Sequence, residues 1–184
     1  MILIVDLNGT KLGHYEFVLP ILSAIGNKCI IKHYKLVNKK DLAKCDRVIL
    51  SGTPLKDMEY SENLNYFEWI KDFDKPVLGI CAGIQAIALV FGATLKKCKE
   101  IGMSKVQTIK ENKLFSSNFE TYFLHNYSVS IPSEFELLAK SKKGVVAIKH
   151  EKKEIYGVLF HPEVRNTEII KKFISIQTSY FVND

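Results

Sequence analysis

Pro76-Val77-Leu78-Gly79-Ile80-Cys81-Ala82-Gly83-Ile84-Gln85-Ala86-Ile87-Ala88-Leu89-Val90-Phe91-Gly92 reads as a strand, a one-residue corner and a helix closed by glycine. Cys81 stands at the corner. Gly79 and Gly83, two positions before and after it, remove the side chains that would hold strand and helix apart. A nucleophile on such a turn sits in a strained backbone conformation at a helix N-terminus. Partial positive charge and unpaired N–H groups there favour a thiolate and hold an oxyanion. The plainer alternative for a lone cysteine is a small buried hydrophobe. That reading suits Cys29, Cys45 and Cys98, which lack this context, and the corner by itself leaves both readings open for Cys81.

Outward from the corner, the first half alternates short apolar runs rich in β-branched residues with helical spacing, which predicts a parallel sheet covered by helices. Strands are expected at Ile2 to Val5, Cys29 to Tyr34, Arg47 to Ser51 and Pro76 to Ile80. Crossover helices are expected over Tyr15 to Ile25, stopped by Gly26, and over Glu62 to Phe73. After Gly92 the pattern changes to short strands with turns at Lys142-Lys143-Gly144 and at Glu151 to Glu154, and a last helix spans Glu168 to Ile176. There is no internal repeat.

A chain of 184 residues with 47% hydrophobic and 25% charged residues has a globular balance and the length of one domain, 1–184. No apolar run approaches the roughly 20 residues of a membrane span. The start, Met1 to Asp6, meets a carboxylate too soon for a secretory leader and reads as a first strand. The four cysteines form no CxxC pair, so neither a zinc knuckle nor a dithiol site is expected, and a reduced, cytoplasmic protein follows. The net charge of +6 comes from scattered pairs such as Lys39-Lys40 and Lys171-Lys172, which read as solvated surface rather than a nucleic-acid footprint.

A cysteine nucleophile needs a base oriented by a third group. Tyr156-Gly157-Val158-Leu159-Phe160-His161-Pro162-Glu163 supplies both: an apolar strand delivers His161 to its end, Pro162 fixes the backbone and Glu163 lies within reach of the imidazole. Alone, this is equally a histidine capping a strand; joined to the corner upstream, it makes an ordered triad of Cys81, His161 and Glu163.

Gly79-Ile80-Cys81-Ala82-Gly83-Ile84-Gln85 and Phe160-His161-Pro162-Glu163 resemble the signatures of the class I (triad) glutamine amidotransferases, and Leu50-Ser51-Gly52-Thr53-Pro54 resembles that family's loop after the third strand. The likeness spans nearly the whole chain in the right order. It implies a single-domain α/β fold: a flavodoxin-like three-layer sandwich with a mostly parallel central sheet and a smaller antiparallel β portion. It further implies Cys81 as nucleophile, His161 as base and acid, and Glu163 as orienter. Glutamine would be bound by Gly52, Thr53, Ala82 and Gln85, and by backbone groups at Asn126 and Tyr127. The reaction implied is glutamine hydrolysis through a γ-glutamyl thioester, with the oxyanion held by N–H groups near Ala82 and Thr53. It calls for no metal and no organic cofactor.

Nothing resembles a GxxxxGK[ST] phosphate loop, so the ammonia acceptor is expected on a separate ATP-dependent synthetase subunit, with no nucleic acid and no membrane as partner. Phe160 to Glu168, Glu100-Ile101-Gly102 and Glu134 to Ser141 are most similar to glutaminase subunits of two-chain GMP synthases, which implies that this partner is a GMP synthase ATP-pyrophosphatase subunit. Tyr122-Phe123-Leu124-His125 is closer to the glutaminase subunit of imidazole glycerol phosphate synthase. Thr53 stands where the family has a second glycine, Ala82 where it has an aromatic or leucine, and Asp6-Leu7-Asn8-Gly9-Thr10 is an unusual opening. A non-catalytic binding module on the same fold, and a γ-glutamyl cysteine hydrolase acting alone, are the competing classes.

Overall fold

Four strands rich in β-branched residues line up in parallel: β1 (Ile2–Asp6) pairs with β2 (Cys29–His33) on one side and β3 (Arg47–Leu50) on the other, and β3 pairs with β4 (Val77–Ile80). The structure, a computed structural model, describes residues 1–26 and 29–177. Beyond β4 come β9 (Ile155–Val158), still parallel, then β8 (Gly144–His150), β7 (Phe135–Ser141), β5 (Leu95–Thr108) and β6 (Phe119–Val129), all antiparallel. The result is one nine-stranded sheet of order β2-β1-β3-β4-β9-β8-β7-β5-β6. This is the α/β architecture expected from the sequence, a parallel sheet flanked by helices and continued by an antiparallel portion.

The order of strand addition reverses at β1: the crossover from β1 to β2 runs toward one edge, those from β2 to β3 and β3 to β4 toward the other. Right-handed crossovers therefore place α1 (Lys11–Phe17) and α2 (Leu19–Ile25) on one face and the helices of the next two crossovers on the opposite one. The closing helix α6 (Glu168–Ser175) packs on α2. On the other face α5 (Ala82–Val90) lies on β3, β4 and β9 with nearly every residue buried. Its close seating follows from two glycines. A Cβ on Gly79 would lie 2.5 Å from the Gly83 carbonyl carbon, and one on Gly83 would lie 2.6 Å from the Leu50 oxygen. The reversal point, where strand carboxyl ends splay apart, is where such sheets hold ligands.

Three expected elements differ. The helix foreseen over Tyr15 to Ile25 is two, because Pro20 offers no N–H to continue the ladder, and Val18 marks the break. The first begins earlier, at Lys11, because the Thr10 hydroxyl accepts from Gly13 N at 3.1 Å. The stretch Glu62 to Phe73 is not one helix but 3₁₀ turns at Glu59–Glu62 and Leu64–Phe67, followed by α4 (Trp69–Asp72). Asn63 interrupts it by donating its amide to Glu59 O at 2.8 Å. The strands after Gly92 were expected to be short, yet β5 and β6 form a long ribbon with a bulge between Lys97 and Glu100. One helix was not foreseen: α3 (Lys39–Lys44), opened by a reciprocal cap between Asn38 and Asp41. Among the described residues no helix is long and apolar enough to cross a membrane.

The turn after β8 holds a histidine whose protonation is expected to cost stability. His150 is buried against Phe91 and Phe135, and its Nδ1 accepts from Lys152 N at 3.0 Å and Lys153 N at 3.2 Å. Protonation would remove that acceptor. Burial pushes the His150 pKa down, against a smaller upward pull from Glu134. A histidine with a folded pKa below its unfolded value of about 6.5 binds fewer protons folded than unfolded. Its stabilisation is complete above that value and is lost as pH falls below it. Thermal melts should fall between pH 7 and 5, and fall less steeply in His150→Gln, whose amide oxygen keeps accepting. Equal slopes in the two proteins would remove His150 from the account.

Candidate active site

Cys81 joins β4 to α5 with φ 50° and ψ −100°, a left-handed φ that a residue with a Cβ adopts only when its surroundings impose it. They do so here. Cys81 N donates to Val158 O at 2.8 Å, tying the corner to β9, and the glycine pair fixes the helix above it. The side chain is 4% exposed.

His161 arrives just past the end of β9 and donates its backbone N–H to Tyr122 O at 2.9 Å. Its Nδ1 lies 2.7 Å from Glu163 Oε1 with both side chains buried, which fixes the ring's orientation. Nε2 makes no hydrogen bond among the described residues, and the nearby Cys81 sulfur acts on the ring through its charge. The sulfur itself is directed at Leu124 O, 3.5 Å away. Burial alone would depress the imidazole pKa. The Glu163 carboxylate and the Cys81 sulfur outweigh it and hold His161 well above its ordinary value, so the charged ring is favoured. Burial raises the pKa of each of the other three thiols.

The other residues singled out from the sequence gather around the same sulfur. Thr53, Ala82, Gln85, Asn126 and Tyr127 line one small cavity with Cys81 and His125. Gly52 stands beside it, so close that a Cβ there would lie 2.9 Å from His161 Cε1 and 3.5 Å from Cys81 Cβ. Thr53 N–H and Ala82 N–H have no acceptor among the described residues, which leaves two donors next to the sulfur unspent. The cavity is small, at about 20 Å³, room for little more than one water. Two hydrogen bonds brace its wall. The Tyr60 hydroxyl donates to Gln85 Oε1, and Gln85 Nε2 donates to Tyr127 O at 2.7 Å. A second cavity, of about 210 Å³ between Phe17, Tyr122, Leu124 and Val164, reaches His161 and Glu163.

Sequence reasoning missed Tyr60, which is fully buried against Gln85, and also Asp6, Asn8, His14 and Ser51, which underpin the Gly52 loop. A signal was present for Asp6 and Asn8: polar residues at the carboxyl end of a buried parallel strand lie where such sheets place their sites. Nothing local pointed to Tyr60, whose partner is 25 positions away.

Residues 17–177 match the family model described as glutamine amidotransferase class-I. One subunit of the glutamine-hydrolyzing GMP synthase of Thermoplasma volcanium is 35% identical over 187 aligned residues, covering 95% of this chain and 91% of that one. Its counterpart in Thermoplasma acidophilum is 35% identical over 156 residues, 78% of each chain. Among solved structures, a protein from Thermoplasma acidophilum described as a proposed GMP synthase subunit superposes with a TM-score of 0.82 at 31% identity, over 94% of this chain and 91% of that one. A glutamine amidotransferase from Thermotoga maritima superposes at 0.70 with 21% identity, over 94% and 80%, a likeness of fold.

Proposed function

This chain belongs to the class I glutamine amidotransferase family, and from that premise we propose that it hydrolyses glutamine and passes the ammonia to a separate ATP-dependent synthetase subunit. By likeness to the GMP synthase relatives, that partner is the synthetase chain of a two-chain GMP synthase. The observation that carries the reading is the buried imidazole of His161, held between the Glu163 carboxylate and the Cys81 sulfur at a strained strand-to-helix corner.

In this reading the Cys81 thiolate attacks the γ-carboxamide carbon. The S–C bond forms as the carbonyl π bond opens, and the oxygen takes the negative charge under Ala82 N–H and Thr53 N–H. Collapse expels the nitrogen, which takes a proton from His161 Nε2 and leaves as ammonia. His161 then draws a proton from water as that oxygen attacks the thioester, and glutamate departs. A ring already favoured in its charged form carries the needed proton before substrate arrives. Glu163 keeps Nδ1 engaged, so that Nε2 is the nitrogen facing the chemistry. Glutamine is larger than the 20 Å³ of free space, so in this reading the lining, which includes the Tyr60–Gln85 pair, adjusts to admit it.

A glutamine-shaped electrophile such as a γ-diazoketone tests this reading. It should alkylate Cys81 and leave Cys29, Cys45 and Cys98 untouched, with glutamine protecting. Peptide mass mapping in which Cys45 or Cys98 reacts faster would overturn the choice of nucleophile. A protein that neither reacts nor forms glutamate with any synthetase would be a binding module on the same fold.

A further inference from the structure

Gly52 O is the acceptor for two side-chain donors. Asn8 Nδ2 donates to it at 3.2 Å and Ser51 Oγ at 3.1 Å. Asn8 is itself held: its Nδ2 also donates to Asp6 Oδ1 at 2.7 Å, and its backbone N–H donates to the same oxygen at 2.9 Å. The opposite Asp6 oxygen lies 2.7 Å from His14 Nδ1, and Ser51 Oγ accepts from Leu7 N at 3.1 Å. With acceptors on the Nδ2 side and a carboxylate among them, only one orientation of the Asn8 amide is favourable. The cost is visible on its other end, since Asn8 Oδ1 is buried without a partner. Space for that end exists because residue 13 is glycine, where a Cβ would lie 2.5 Å from Asn8 Oδ1. A buried orphan acceptor is tolerated when the group it belongs to is needed in that pose.

We propose that Asn8, fixed by Asp6 and assisted by Ser51, is a positioning residue that sets the Gly52–Thr53 peptide for catalysis. The peptide is planar and trans, so the Gly52 carbonyl and the Thr53 N–H point in opposite directions, and fixing one fixes the other. The carbonyl is drawn toward Asn8 and Ser51. Thr53 N–H, without an acceptor among the described residues, is thereby turned the other way, at the residue that lines the cavity with Cys81. The inference rests on the proposed glutaminase reading, in which that N–H meets the oxyanion. It assigns a task to the Asp6-to-Thr10 opening, none of whose described hydrogen bonds goes to Cys81 or to the His161 ring.

Two variants test it. Asn8→Asp keeps the shape but replaces both donors by acceptors facing Asp6 and Gly52 O, and Ser51→Ala removes the second donor alone. Loss of one oxyanion donor costs roughly a hundred- to a thousandfold in turnover. A misdirected donor should cost less, so kcat is expected to fall about tenfold to a hundredfold in Asn8→Asp and by a smaller factor in Ser51→Ala. The KM for glutamine should stay within about threefold, and the pH profile should keep its midpoint because the His161–Glu163 pair is untouched. Alkylation of Cys81 by iodoacetamide, which needs no oxyanion, should proceed at the parental rate. The carbonyl carbon of Gly52, followed by NMR, should move upfield as its donors are lost, whether or not the parent hydrolyses glutamine. An unchanged Gly52 shift in both variants overturns the clamp. So does a kcat within twofold of an active parent, or an alkylation rate that falls in step with kcat. If the parent forms no glutamate with any synthetase, the glutaminase reading fails, and the carbonyl shift still decides the clamp.

Discussion

Cys81→Ala is expected to remove glutamine hydrolysis to below a thousandth of the parental rate while leaving the fold in place. In a related acyl-transfer enzyme class, deletion of the nucleophile costs about 2 × 10⁶ in turnover, and alanine has no group able to form the thioester. The structural cost is small for a buried position. The change removes one sulfur atom at a site 4% exposed, and alanine keeps the same Cβ at the same positive φ, so the strain neither grows nor is relieved. A cavity of one atom costs about 1 kcal/mol. The substitution should also leave a spectroscopic trace. The sulfur is one of the two partners that raise the His161 pKa against burial, so its removal should move the imidazole pKa down, read by NMR of the ring carbons. Parallel substitutions set the comparison: Cys29→Ala, Cys45→Ala and Cys98→Ala should keep activity, with Cys45, fully buried and donating to Leu42 O at 3.3 Å, losing the most stability. Glutamate formation by Cys81→Ala within tenfold of the parent, with partner present, would end the assignment.

The corner and the histidine-glutamate pair were legible in the sequence for one reason: their geometry is local. Gly79, Cys81 and Gly83 sit within five positions, and His161 reaches Glu163 two residues away, so spacing alone specifies the contact. The parallel half of the sheet was legible because a strand buried on both faces must be a continuous apolar run. Elements lost in the reading had local signals that periodicity overrode. Pro20 split one helix, Asn63 broke another into 3₁₀ turns, and the Asn38 to Asp41 cap started a third. The residues that shape the cavity were not legible, because their partners are brought in by the fold: Tyr60 meets Gln85 across 25 positions and Asn8 meets Gly52 across 44. Thr53 and Ala82, which look like departures from a family pattern, both line the cavity beside Cys81, and the oxyanion role proposed for them needs only backbone N–H groups, which any residue but proline supplies.

Addition of the correct synthetase chain is expected to raise glutaminase kcat/KM by a hundredfold or more, and the structure indicates where that factor is stored. Tyr60, which lines the cavity beside Cys81, sits on the 3₁₀ turn Glu59–Glu62. The segment leading into that turn is held at Asp57, whose carbonyl accepts from Thr53 Oγ1 at 2.9 Å and whose carboxylate accepts from Gly9 N at 2.8 Å. A salt bridge between Lys35 and Glu59 holds the turn's outer side at the surface, where a docking protein can compete for either partner. Gly52 O is pinned by Asn8 and Ser51, so the Gly52–Thr53 peptide is the fixed end from which residues 54–62 are displaced. Widening the cavity multiplies the binding-competent fraction and lowers KM by the same factor. Ammonia freed into solvent near neutral pH is mostly protonated and no longer a nucleophile, so a resting state whose cavity stays small until the acceptor docks avoids idle hydrolysis. Titration of glutamine turnover with a GMP synthetase chain, ATP and xanthosine monophosphate should show this as a fall in KM. Tyr60→Phe, which frees Gln85 Oε1, should recover part of the KM effect with no partner present. If the isolated chain already turns over as fast as any complex, the small cavity is not a brake. If only a different ammonia-consuming synthetase activates it, the glutaminase reading stands and the GMP assignment falls.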